Sequence, residues 1–208
     1  MSTPMPTPPL HLALFASGKG TNAQQIIQFF HQEAHEVAGR RVKIALIVCN
    51  KPGAGVLDIA ENKKIPALLI QREEFFRGSH YLGELKERNI DFLALAGFLW
   101  KIPQELIRAY PGRIINIHPA LLPAYGGKGM YGNAVHEAVI RAGEKESGIS
   151  IHEVDELYDH GRILFQAGCA VSAEDNPESL AQKIHALEHA HYPAAIAQWM
   201  ESKLSLNP

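Results

Sequence analysis

The sequence contains very little cysteine. Its 208 residues include 2 cysteines, Cys49 and Cys169, which lie 120 positions apart and each within an apolar stretch. Two such distant thiols exclude a disulfide-stapled scaffold and a cysteine zinc site. We therefore expect both to be buried, reduced thiols.

A block of like charge and a long apolar run are also missing. The 20 basic and 22 acidic residues give a net charge of -2, and no basic cluster predicts nucleic-acid binding. No stretch approaches the roughly 18 to 20 apolar residues of a membrane span. The apolar run at residues 10–16 has no Lys or Arg before it, so we expect no signal peptide and a cytoplasmic protein. Four prolines predict a flexible tail at residues 1–9.

Apolar stretches that resemble strands alternate with stretches of helical periodicity. The strand-like stretches are residues 10–16, 42–49, 66–70, 92–96 and 113–118. The helical stretches are residues 21–37, 54–64 and 78–88. Strands that are apolar on both faces and separated by helices predict an α/β fold with a doubly wound, mostly parallel, Rossmann-like sheet.

The pattern changes after residue 145. Two strand-like runs, residues 147–154 and 162–171, are joined by a segment too short for a crossover helix, so they must pair antiparallel. An amphipathic helix over residues 177–200 follows. We expect one domain over residues 1–208, with an antiparallel C-terminal portion and an oligomeric state that the sequence leaves open.

A glycine-rich loop, SGKGTNA at residues 17–23, follows the first predicted strand and opens the first predicted helix. It matches the dinucleotide pattern G-x-G-x-x-A, but an NAD site also needs an acidic residue about 20 positions on. Asn50 and Lys51 stand at that place. The loop is therefore a better candidate for binding a phosphate through free N–H groups.

The stretch RIINIHPALLP at residues 113–123 places Asn116 and His118 on one face of a buried strand. Pro119 ends that strand, so both polar groups emerge at its C-terminal end, where ligands bind in doubly wound sheets. The acidic turn at residues 155–161 is expected above the same strand end. An amide, an imidazole and a carboxylate together are suited to acyl transfer.

The last helix contains HALEH at residues 185–189, which matches the zinc-peptidase pattern H-x-x-E-H. Glu201 is the one acidic residue placed to complete such a site, and it lies near the helix end. Surface or capping histidines explain the motif better, and we predict no metal.

Four motifs together resemble the folate-dependent phosphoribosylglycinamide formyltransferases. They are SGKGTN, LAGFLWKIP, IINIHPALLP and HEVDELYDHG, in the family's order and spacing, and the resemblance extends from about Leu10 to Met200. It implies the formyltransferase fold and transfer of a formyl group from the co-substrate 10-formyltetrahydrofolate to the amine of 5'-phosphoribosylglycinamide in purine biosynthesis. It also implies small-molecule substrates and no metal.

The resemblance further implies which residues form the site. The catalytic residues would be Asn116, His118 and Asp159, with Asp159 keeping His118 cationic. Binding of the glycinamide ribonucleotide would involve Gly20, Thr21, Asn22 and Glu188. Folate binding would involve Arg72, Leu99, Trp100, Lys101, Ile102, Asn116, Asp155, Glu156, Leu157, Tyr158 and Asp159. The chain departs from the commoner pattern at Leu99 and Trp100, and in a longer glycine-rich segment at residues 125–132.

Three alternatives stay open at this point. The nearest is another folate-dependent formyl enzyme, such as formyltetrahydrofolate deformylase or a sugar formyltransferase. A nicotinamide oxidoreductase is weakened by Asn50 and Lys51. The third is a non-catalytic folate- or nucleotide-binding module.

Overall fold

A computed structural model describes residues 7–32, 35–77 and 80–205 of the chain. Within them, eight strands form one sheet: β1 (Leu10–Ala16), β2 (Glu36–Val37), β3 (Arg40–Cys49), β4 (Ala67–Leu69), β5 (Phe92–Leu95), β6 (Ile114–His118), β7 (Glu146–Glu153) and β8 (Ile163–Ala170). Of the predicted tail at residues 1–9, residues 1–6 lie outside the described residues, and residues 7–9 are exposed without regular structure.

The helices cover both faces of this sheet. They are α1 (Thr21–Ile27), α2 (Gly55–Asn62), α3 (Arg72–Phe76), α4 (His80–Glu87), α5 (Gln104–Ala109), α6 (Asn133–Ala142) and α7 (Pro177–Ser205). Two apolar clusters, one on each face, form the core. None of the helices in the described ranges is long and apolar enough to cross a membrane.

The sheet order is β2-β3-β1-β5-β6-β7-β8, with β4 also pairing with β3. Strands β1, β3, β4, β5 and β6 are parallel, and β7 pairs antiparallel with both β6 and β8. The chain winds from β1 to β3 on one side and later to β5 on the other. The order therefore reverses at β1, which opens a crevice at the carboxyl ends of β1 and β5. The predicted fold class is confirmed.

The helix predicted over residues 21–37 is wrong in its second half. Helix α1 ends at Ile27 and continues as one π-helical turn, Gln28–Gln32. Glu36 and Val37 then pair antiparallel with the start of β3. Strand pairing and burial of Val37 override the local helical periodicity.

Other sequence predictions need smaller corrections. Helices α3, α5 and α6 did not stand out in the sequence because each is short or follows a glycine-rich stretch. Cys49 is buried as expected, but Cys169 is only partly buried because β8 is the edge strand of the sheet. Both cysteines are free thiols.

Candidate active site

A cleft of about 850 Å³ lies at the carboxyl edge of the sheet, where the strand order reverses. It is lined by the loop after β1, the loop after β5, the end of β6, and the turn between β7 and β8. The sequence predicted that two of these, the end of β6 and the turn between β7 and β8, would lie together. The glycine-rich segment after β6 and two helices, α6 and α7, complete its walls.

The glycine loop begins helix α1 at one end of the cleft. Gly20 caps the helix in the left-handed conformation, with φ of 78°. A side chain there would be strained and would place its Cβ 2.8 Å from the side chain of Val56. The loop is tied to the loop after β5, because the Ser17 hydroxyl accepts a hydrogen bond from the N–H of Leu99 over 2.9 Å. A glycine-lined helix N-terminus of this kind suits an anion.

Glu188 reaches the same end of the cleft from helix α7. Its side chain is 6% exposed, and its Oε2 accepts a hydrogen bond from Nδ2 of Asn22 over 2.9 Å. Burial raises the pKa of Glu188 above its ordinary value, although the Asn22 hydrogen bond opposes that shift. Lys19 and Lys51 also line this region, which we call the phosphate end of the cleft.

Asn116, His118 and Asp159 meet at the other end, which we call the catalytic end. Oδ2 of Asp159 lies 3.5 Å from Nδ1 of His118. The same oxygen accepts a hydrogen bond from the Gly127 N–H over 2.9 Å. Nε2 of His118 lies 2.8 Å from the Tyr125 carbonyl oxygen, so Nε2 carries a proton. The turn between β7 and β8 therefore brings its carboxylate beside the imidazole, as expected from the sequence.

His152 is a fourth polar residue at this end, and sequence reasoning did not single it out. It lies on β7 directly opposite Asn116. Nδ2 of Asn116 lies 3.1 Å from Nε2 of His152, and Oδ1 of Asp159 lies 3.6 Å from the same nitrogen. The signal available in the sequence was that Ser150 and His152 alternate with Ile149 and Ile151, which places the two polar side chains on one face of the strand.

The charge of His118 differs from the sequence expectation. Its ring is 3% exposed, and this burial lowers its pKa even though Asp159 and the Tyr125 carbonyl oppose the shift. His118 is therefore neutral near pH 7 in this structure, and the expectation of a standing cation is wrong. Burial raises the pKa of Asp159, but the His152 ring, the His118 ring and the Gly127 N–H together outweigh burial and lower it.

The loop after β5 forms an aromatic wall of the cleft. Leu99 and Lys101 are exposed at its surface, and Ile102 is buried in the core. Trp100 packs against Phe76 with ring centroids 5.9 Å apart. Nζ of Lys101 lies 5.5 Å from the centroid of the Tyr158 ring, which joins this loop to the turn after β7.

Two of the predicted folate-binding residues lie outside the lining of the cleft. The Arg72 guanidinium is stacked on Phe76, 5.8 Å from its centroid, behind the aromatic wall. Glu156 is directed to the surface, where its Oε1 accepts a hydrogen bond from Gln104 over 2.6 Å. The other predicted site residues all line the cleft.

The residues of the HALEH motif do not assemble a metal centre. The rings of His185 and His189 are stacked, with centroids 6.4 Å apart. Among residues 7–32, 35–77 and 80–205, no three His, Cys, Asp or Glu side chains are grouped to hold a metal ion. The absence of a metal remains a prediction.

Comparison with protein families gives one match that spans nearly the whole fold. A model described as "Formyl transferase" matches residues 10–196. The crystal structure of a phosphoribosylglycinamide formyltransferase from Bacillus halodurans superposes with a TM-score of 0.79 at 39% identity. That superposition covers 90% of this chain and 94% of the other.

Curated relatives agree with the structural match. A chloroplastic phosphoribosylglycinamide formyltransferase of Arabidopsis thaliana is 39% identical over 93% of this chain. The chain spans only 66% of that plant relative's length and 62% of a similar one from Vigna unguiculata. A phosphoribosylglycinamide formyltransferase of Bacillus subtilis is 37% identical, and the match covers 89% of this chain and 92% of that protein.

Proposed function

This chain belongs to the formyl transferase family, and we propose that it transfers the formyl group of 10-formyltetrahydrofolate to the amine of 5'-phosphoribosylglycinamide. The relatives that carry this activity in their names support the choice of acceptor. The step would belong to purine biosynthesis. The cytoplasm stays our predicted location, although the plant relatives are chloroplastic by name.

One observation carries the proposal. A single cleft joins a glycine loop at a helix N-terminus at one end to an amide, an imidazole and a carboxylate at the other. A phosphorylated acceptor held at Gly20, Thr21 and Asn22 would extend its amine towards Asn116 and His118. Such remote binding lowers the entropic barrier to reaction as well as increasing affinity.

The reaction we propose needs no covalent enzyme intermediate, because a free amine is already a nucleophile. The amine nitrogen forms a bond to the formyl carbon, and the formyl oxygen becomes an oxyanion. Nδ2 of Asn116 has one N–H directed to His152 and a second to donate to that oxygen. Such a donor contributes about 10²- to 10³-fold in rate.

His118 would accept the proton that the amine loses. Because Nε2 already carries a proton, the incoming proton goes to Nδ1, the nitrogen that faces Asp159. The cation formed there is stabilised by the Asp159 carboxylate. The bond from the formyl carbon to the folate nitrogen then breaks, and that nitrogen takes the proton from His118.

The folate would enter along the aromatic wall. Trp100, Tyr158 and Leu157 expose apolar surface to the cleft, which suits a flat heteroaromatic ring system. Leu99, Lys101, Ile102, Asp155 and Asp159 remain proposed contacts. Arg72 and Glu156 would have to move to touch a ligand in the cleft.

A competition assay tests the proposal. The purified chain is incubated with 10-formyltetrahydrofolate and with 5'-phosphoribosylglycinamide, water alone or an amino sugar nucleotide as the acceptor. Folate absorbance follows the transfer. We expect turnover that depends on 5'-phosphoribosylglycinamide; equal formyl release in water would instead identify a deformylase, and micromolar NAD binding by calorimetry would support the oxidoreductase.

A further inference from the structure

His136 is a buried imidazole in the wall of the cleft that the proposed mechanism does not use. It lies in the first half of α6 and is 3% exposed, and its ring lines the cleft. Its neighbours on the buried face of α6 are Val135 and Val139. Packing alone would favour an apolar side chain beside these two valines. Packing therefore does not explain why this position holds an imidazole.

The ring of His136 lacks the partner that a structural histidine has. Its Nδ1 is buried and makes no hydrogen bond with any described residue. His31 shows the contrast, because its Nε2 accepts the backbone N–H of Ile44 over 2.9 Å and so joins the π-helical turn to β3. A buried polar group without a partner destabilises the fold. Nδ1 is enclosed by the fold, so a ligand in the cleft would reach the ring through its other nitrogen, Nε2.

The position of His136 indicates which part of a ligand it meets. It lines the same cleft as His118 and His185. His118 marks the catalytic end, and His185 lies one helical turn before Glu188 at the phosphate end. The part of the acceptor between the reacting amine and the phosphate is its glycinamide linkage followed by its ribose, and the ribose is the portion next to the phosphate.

We propose that His136 is a substrate-binding and specificity residue that hydrogen-bonds the phosphoribosyl portion of the acceptor. This inference rests on the function proposed above and names a contact within the same site. The hydrogen bond would select a phosphoribosyl acceptor over an amine that lacks one. It would act on binding and leave the proton transfers at His118 unchanged.

The choice of histidine at this position is consistent with the chemistry nearby. Burial lowers the pKa of His136, and the His185 and His118 rings lower it further. The ring is thus neutral near pH 7 and keeps one N–H to donate. A lysine here would place a fixed cation near His118 and would oppose its uptake of a proton.

The test compares His136→Leu and His136→Gln with the unaltered full-length chain. With saturating 10-formyltetrahydrofolate, we expect His136→Leu to raise KM for 5'-phosphoribosylglycinamide by about 10-fold, with kcat within about 3-fold. KM for the folate should not change. His136→Gln, which keeps an N–H donor, should recover part of the affinity, and the Tm of His136→Leu should equal or exceed that of the unaltered chain.

A control variant and a second probe separate the outcomes. His191→Leu changes a partly buried histidine that packs on Phe165 away from the cleft, so its kinetics should match the unaltered chain. Calorimetry with ribose 5-phosphate measures binding without the reacting amine. An unaltered chain that shows no transfer refutes the proposed function, yet weaker ribose 5-phosphate binding by His136→Leu would still support the contact. The proposed contact would be overturned if His136→Leu left both KM and the affinity for ribose 5-phosphate unchanged. It would also be overturned if His136→Leu lowered Tm and affected all kinetic constants equally.

Discussion

The two ends of the cleft contain carboxylates, one partly buried and one buried, whose pKa values are shifted in opposite directions. At the catalytic end, neighbouring groups lower the pKa of Asp159 despite its burial. At the phosphate end, burial raises the pKa of Glu188, and one amide hydrogen bond does not offset it. The number of polar partners decides the difference. One carboxylate is therefore favoured in its ionised form beside His118, whereas burial disfavours ionisation of the other.

The two ends also differ in how the chain builds them. The phosphate end rests on consecutive residues, from Ser17 to Asn22, at one turn between a strand and a helix. The catalytic end combines side chains of β6 with His152 on β7 and Asp159 in the turn after β7, and these last two lie more than 30 positions after His118. A local motif therefore describes the first end, whereas pairing of β6 with β7 creates the second.

The largest effect should come from the catalytic end. We expect His118→Ala and Asp159→Asn each to lower kcat by about 10²-fold or more, with KM for both substrates within a few-fold. The double variant should lose little beyond the worse single variant, because the two residues act as one unit. Steady-state kinetics on the three proteins measure this. Losses that multiply in the double variant would show that Asp159 does not act through His118.

The phosphate end should be the more sensitive to backbone change. Gly20→Ala forces a side chain into a left-handed conformation and against Val56, so we expect it to destabilise the fold by about 1–3 kcal/mol. Gly18→Ala in the same loop is the matched control, since its Cβ would meet nothing within 4 Å and its φ is not in the left-handed range. Denaturant unfolding measures both variants. Equal stabilities would show that the loop relaxes around the added methyl group.

Glu188→Gln tests whether the second carboxylate works close to its neutral form. The amide has the same size, and its oxygen can still accept a hydrogen bond from Asn22. We therefore expect KM for 5'-phosphoribosylglycinamide to rise by less than about 10-fold, with kcat nearly unchanged. A loss of kcat comparable to that of Asp159→Asn would mean that both ends require an ionised carboxylate.

Mild acid should weaken the fold through histidines at both ends. Burial lowers the pKa values of His118 and His136 in the folded state, as it does for His31 and His189. The unfolded chain, with histidine pKa values near about 6.5, therefore binds protons first as the pH falls. Stability is complete above that pKa and is lost as the pH falls from about 7 towards 5. Asp159 does not oppose this, because the stability that its lowered pKa confers is lost only below about pH 4.

Thermal melts at pH 7.5 and 5.5 measure this loss of stability in mild acid, which we expect to be the smallest of the effects described. His118→Gln has no titrating ring and should show a smaller fall in Tm between the two pH values. A Tm that rises on acidification would indicate that the histidines gain partners when protonated. Glu188 has a raised pKa and acts in the opposite direction, because its ionised form costs stability at neutral pH.

Much of this fold was predictable because apolar periodicity reports burial directly. Strands β1, β3, β5 and β6 begin or end within about 2 residues of their predicted bounds. The segment after α1 was not predictable, since Val37 joins the sheet only because β3 lies beside it. The same reasoning explains α6, where a helix follows a glycine-rich stretch that shows no helical pattern in the sequence.

The sequence by itself determined the α/β class, the glycine loop and the shared strand face of Asn116 and His118, because each depends on neighbouring residues or on strand alternation. Tertiary structure alone decided the contact of His152 with Asn116, the exclusion of Arg72 and Glu156 from the cleft, and the neutral state of His118. These features depend on which groups lie within a few ångströms and how much water is removed. Long-range strand pairing and burial set both the distances and the loss of water. The local order of residues therefore does not determine them.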